Sequence, residues 1–154
     1  LAEVGFAAVD DVEAIDRGHD LVAVGAVVLD ADRVARAGLA DGIDVAADLR
    51  IPTKTLRTAS PDVWAGFGAL HQAAVADGVL PAKVKELMAL AIAVVKQCDG
   101  CIAYHAKAAV ARGATAEECA EALGVALLMD GGTASVYGPR AFAAFHEFAG
   151  TESS

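Results

Sequence analysis

A chain of 154 residues that is 56% apolar but only 5% aromatic can form one domain with a sizeable core, and its alanine, valine and leucine suit close-packed helices. Its formal charge of -9 and pI near 4.7 argue against a nucleic-acid partner, because phosphates demand a basic face. The longest apolar runs, residues 21–29 and 87–95, are about half the roughly 20 residues of a membrane-spanning helix, so no membrane is expected.

No basic region opens the chain, so no secretory signal is visible. Three cysteines make a poor disulfide framework. A reducing, cytoplasmic setting is expected, where a close cysteine pair means chemistry or metal rather than stapling.

Residues 1–50 differ in composition from the rest. They use ten residue types and carry 11 acidic against 4 basic residues, whereas the remainder carries 10 against 8. Residues 19–42 could hold a strand running into a short helix, but Gly25 and Gly38 punctuate them. The run ending at Asp30 has the look of one edge of a nucleotide-binding unit, yet the GxGxxG fingerprint is absent. The expectation is an N-terminal extension of uncertain structure over residues 1–50, translated from upstream of the native start. An opening Leu1 instead of Met fits that expectation. An all-α domain over residues 51–154 follows.

Within that domain Ser60, Pro61 and Asp62 read as an N-cap, a proline at N1 and an acid in the first turn. Val63, Trp64, Phe67, Leu70, His71 and Ala74 recur at helical spacing, with Gly78 expected as the C′ residue and Trp64 as a core anchor. Pro81 opens a second helix whose apolar residues nearly encircle it, which predicts central burial. A third helix over residues 101–113 stops at Gly113. Thr115 and Glu118 have capping-box spacing and start a fourth. One or two last helices over residues 133–149 are kinked or restarted at Pro139. No β-alternation competes.

The chemistry centres on "KQCDGCIAYH", residues 96–105. Asp99-Gly100 reads as a turn that puts Cys101 in the first turn of a helix. Unpaired N–H groups and the positive end of the dipole lower a thiol pKa there. Cys98 is close enough to form a small disulfide ring with it, and either cysteine could attack. His105, four residues after Cys101, shares its helical face and can act as base or donor. Glu86, in the preceding helix, is suited to proton transfer if buried; flanked by Lys83 and Lys85, it could instead be a solvated, salt-bridged acid. A metal is not expected, since Cys98, Cys101 and His105 are one ligand short of zinc's four. Cys119, His19 and His146 read as structural; His71 could line the site and Tyr104 and Tyr137 could offer hydroxyls to a pocket, but packing or surface roles are expected for all three.

The segment from Lys85 to Gly138 resembles the alkylhydroperoxidase D-like (AhpD-like) members of the carboxymuconolactone decarboxylase family, over roughly residues 58–149. Its marks are the glutamate before an apolar helix, C-x-x-C-x-x-x-H, the "GAT-x-EE" helix start and the "GG…YG" segment. The resemblance implies an AhpD-like helical bundle that assembles as a trimer or hexamer. It implies thiol-dependent reduction of hydroperoxides, without a cofactor, by an external dithiol or redox protein. Cys101 then matches the attacking cysteine, Cys98 the resolving one, and Glu86 and His105 the proton relay. Gly100 departs from relatives that carry a second histidine at that position, and Asp130-Gly131-Gly132 departs from a glycine triplet. The family's lactone decarboxylases generally lack the cysteine pair. The alternatives are a lyase on a lactone acid, using Lys85, Arg140 or His71 to hold the carboxylate, or a non-catalytic redox-sensing oligomer.

Overall fold

The computed structural model describes residues 21–24, 27–30 and 42–152. Strands β1 (Leu21–Val24) and β2 (Val27–Asp30) pair antiparallel, Val24 opposite Val27. Six helices follow: α1 (Gly42–Ala59), α2 (Pro61–Val75), α3 (Ala82–Val95), α4 (Asp99–Ala111), α5 (Ala116–Asp130) and α6 (Gly132–Glu152). The helical body is all-α, as expected.

The first fifty residues contain the two strands and the start of α1. The hairpin accounts for eight of them, and the compositional break at residue 50 falls inside α1. The short helix considered between the strand and Gly42 lies outside the described residues. Sequence hides α1 because Pro52 sits in its interior, where it removes a helical hydrogen bond, and because Leu49, Ile51 and Leu56 are exposed and mark no apolar stripe. Tertiary contact holds it instead. The Gly42 N–H donates to Glu147 Oε2 at 2.8 Å. A Cβ on Gly42 would stand 2.6 Å from the Ala144 Cβ, so α1 meets α6 at a point only glycine allows.

Helix α2 begins at Pro61 as expected, but the Ser60 hydroxyl donates to the Leu56 carbonyl at 3.1 Å instead of capping. The helix ends at Val75, three residues before Gly78. Asp77 explains the early stop. Its carboxylate accepts the Ala82 N–H at 2.7 Å, committing the linker to starting α3. Trp64 is not a core anchor: it packs edge-on to Phe67 near the surface, with the Arg57 guanidinium 5.4 Å from its ring centre.

Helix α3 packs against α4, α5 and α6. Leu87, Leu90, Ala93 and Val94 are buried, but Met88, Ile92 and Val95 are exposed, so it is central on one side only. Helix α4 presents Ala103, Ala106 and Ala109 to the interior, and these small side chains let its neighbours approach closely. The expected capping box starts α5: Glu118 N–H donates to the Thr115 hydroxyl, and Thr115 N–H to the Glu118 carboxylate. Helix α6 runs through Pro139 as one element. It drives Phe145 and Phe148 into the cluster of Leu90, Val94, Ile102 and Leu123.

Phe145 is the largest fully buried side chain among the described residues. Phe145→Ala is expected to lower unfolding free energy by about 3–5 kcal/mol, from lost transfer energy and the cavity left behind. Urea denaturation of both proteins measures it.

Candidate active site

The link between α3 and α4 positions the cysteines. Gln97 adopts a left-handed conformation, φ 54°, with its N–H on the Val94 carbonyl; the Cys98 N–H reaches the Ala93 carbonyl at 3.1 Å. This is a Schellman closure with glutamine where glycine is usual, at a backbone cost of about 1–2 kcal/mol. The turn is therefore Lys96-Gln97, not the expected Asp99-Gly100, which form the first residues of α4. Cys98 becomes the N-cap: its sulfur accepts the Cys101 N–H at 3.3 Å, and its carbonyl accepts the Ile102 N–H at 2.8 Å. Cys101 still lies in the first turn. The two form a disulfide across a Cα separation of 5.2 Å, Cys101 being the more exposed.

Glu86 is 1% exposed, the one charged side chain in the core of the described residues. Its Oε2 lies 2.8 Å from His105 Nδ1. A buried carboxylate is tolerable only with such a partner. The solvated alternative falls away because both flanking lysines are engaged elsewhere. Lys83 pairs with Glu118 at 2.6 Å, and Lys85 donates to the Ala76 carbonyl at 2.6 Å.

His71, read from sequence as a packing or surface residue, reaches the same place from α2. One donor atom each from His71, Glu86 and His105 lie within 4.8 Å of one another. The two imidazoles stack at 6.0 Å between ring centres, and Tyr104 packs edge-on to both. His71 Nε2 is buried without a hydrogen-bond partner. The contact joins residues on three helices, so no local spacing reveals it. The only sequence hint is that His71 follows Trp64 and Phe67 at helical intervals on α2.

Cys101 and His105 line a cavity of about 220 Å³ with Ala89, Ile92, Ala93 and Lys96. Its walls are almost wholly apolar carbon. Gly100 faces α1: a Cβ there would stand 2.8 Å from Leu49 Cδ1. A side chain at this position would displace Leu49 of α1. A larger surface groove of about 570 Å³ lies against Trp64, Gly68 and Gln72, and Cys101, His105 and Glu86 do not line it.

The remaining candidates fall outside this constellation. Cys119 is fully buried, and burial pushes its thiol up to about 12. In the reduced native protein, two of the three thiols are expected to react rapidly with an aromatic disulfide reagent, and Cys119 only on unfolding. Absorbance counting with and without denaturant tests this. His146 packs edge-on between Phe142 and Phe145, and burial lowers its pKa, opposed in part by Glu117. Arg140 pairs with Asp99 at 3.6 Å and lies over Tyr137. His19 lies outside the described residues.

Residues 61–147 match the sequence profile of the carboxymuconolactone decarboxylase family. An uncharacterised protein of Cupriavidus necator is 42% identical over 90 residues, 58% of this chain and 80% of that one. The uncharacterised protein 4 in the cox locus of Paracoccus denitrificans is 42% identical over 84 residues, 54% of this chain and 76% of its own length. Among solved structures, the apo form of a carboxymuconolactone decarboxylase family protein from Legionella pneumophila superposes with a TM-score of 0.66. It is 39% identical and covers 77% of this chain and 98% of its own. With the profile spanning more than half of its length and the helical bundle shared with that structure, the chain belongs to the carboxymuconolactone decarboxylase family.

Proposed function

We propose that the protein is a thiol peroxidase of the AhpD-like kind, reducing hydroperoxides through a Cys98/Cys101 dithiol–disulfide cycle. The observation that carries this reading is the buried Glu86–His105 pair, whose imidazole shares one cavity with Cys101. With its Nδ1 proton donated to Glu86, His105 turns Nε2 into a base. That nitrogen takes the Cys101 proton, and Glu86 stabilises the imidazolium. Lys96 lines the same cavity.

The thiolate attacks the distal peroxide oxygen. An S–O bond forms, the O–O bond breaks, and the departing alkoxide takes the proton from His105 as alcohol. Cys101 is now a sulfenic acid. The Cys98 thiol condenses with it, releasing water and closing the disulfide. An external dithiol attacks the more exposed Cys101 sulfur. Cys98 then leaves as a thiolate held by the Cys101 N–H, which makes it the better leaving group. A second attack frees the oxidised donor. The apolar walls favour an organic hydroperoxide, and exposed Val63, Phe67 and Leu70 on α2 support assembly with further copies of this chain as a trimer or hexamer.

Consumption of an organic hydroperoxide by the reduced protein with an excess dithiol donor tests the reading; absence of turnover, with the thiols oxidising once, rejects it in favour of a redox sensor. Lys96 also supports a second reading, a lyase holding a lactone acid beside His105. Lys85 and Arg140 do not line this cavity. Lactone turnover that survives thiol alkylation would select the lyase.

A further inference from the structure

The donor set that matters for metal differs from the one the sequence suggests. Cys98 and Cys101 are tied to each other, whereas His71, Glu86 and His105 bring two imidazoles and a carboxylate together from α2, α3 and α4. We propose that these three residues form a binding site for a divalent transition metal of the zinc class.

Three features support it. The first is the buried carboxylate, an anion in the core that a cation neutralises more completely than a neutral imidazole can. The second is His71 Nε2, buried and without a hydrogen-bond partner. The third is donor type. Two nitrogens and one oxygen suit zinc and its neighbours and disfavour calcium and magnesium, which take oxygen ligands. Zinc bonds such atoms at about 2.0–2.2 Å, so tetrahedral ligands stand roughly 3.4 Å apart. The three donors lie within 4.8 Å of one another, so side-chain rotation suffices to close on an ion. His105 moves slightly outward from its 2.8 Å contact with Glu86. Three protein ligands leave a fourth position for water, the pattern of open zinc sites. If the peroxidase reading holds, occupancy removes Glu86 and His105 from proton transfer, so zinc inhibits turnover. The binding itself does not depend on that reading.

The test is calorimetric titration of zinc chloride into the disulfide form of the full chain, so that the Cys98 and Cys101 thiolates contribute nothing. It is repeated on Cys98→Ser/Cys101→Ser. Both are expected to bind one zinc per chain, unaffected by excess magnesium. His71→Phe keeps a ring against Tyr104 and removes both nitrogens; with unchanged circular dichroism it should weaken zinc by about tenfold or more, since even loss of an outer-shell partner costs 10–100-fold. Failure of the disulfide form to bind zinc, or equal affinity in His71→Phe, overturns the proposal. Peroxidase activity without zinc binding, or zinc binding without peroxidase activity, separates the two readings.

Discussion

Cys101→Ser is expected to reduce hydroperoxide turnover to the uncatalysed background while leaving the helical fold intact. Cys101 is exposed and outside the core, so the change opens no cavity. What disappears is chemical. A serine hydroxyl is not ionised near neutral pH and cannot hold oxygen as a sulfenic acid. Cys98→Ser should behave differently: Cys101 is still oxidised once, to a sulfenic acid that a dimedone-type trap captures and mass spectrometry locates. Steady-state turnover with a dithiol donor then falls because no intramolecular disulfide forms. The contrast assigns attacking and resolving roles. If Cys101→Ser instead carries the trapped adduct on Cys98 while Cys98→Ser carries none, the roles are reversed. Unchanged turnover in both rejects thiol catalysis.

Glu86→Gln should lower turnover by about a hundredfold or more, within the range of general acid–base contributions. The amide has nearly the volume of the acid and its carbonyl can still accept from His105 Nδ1, so packing and ring position persist. The negative charge that stabilises the imidazolium is lost. His105 then becomes a weaker base, and less of Cys101 is thiolate at neutral pH. The rate of alkylation against pH measures this directly: the midpoint for Cys101 should move upward in the variant. Glu86→Leu would not serve, because removing the partner also frees His105 to rotate. His105→Ala should cost stability as well as rate, about 3–5 kcal/mol if Glu86 stays charged, because it strands a buried carboxylate. A Glu86→Gln enzyme with unaltered rate and unaltered thiol titration would remove the pair from the mechanism.

The site was partly visible before folding. Cys101 and His105 are four apart on one helix, so their shared face follows from helical geometry alone. Glu86 stood out as an acid before an apolar run, but its solvated alternative was equally compatible with Lys83 and Lys85. Only the folded chain takes both lysines away, one to Glu118 on α5 and one to the Ala76 carbonyl, and leaves His105 as partner. The turn was misjudged because Asp-Gly is a strong local signal. Here Cys98 caps the helix, and that pulls Asp99 and Gly100 into its first turn.

The sequence by itself determined the all-α class, helices α3 to α5, the Thr115–Glu118 capping box and the cysteine pair beside His105. Each depends on neighbours within about one helical turn, where spacing dictates contact. Tertiary structure alone decided the rest. It formed α1 across Pro52 by seating Gly42 against Ala144, and set Leu49 over Gly100. It also carried His71 across from α2 to Glu86 and His105. Those contacts join residues 15 to 102 positions apart, and no periodicity in a chain encodes which of its helices will lie side by side.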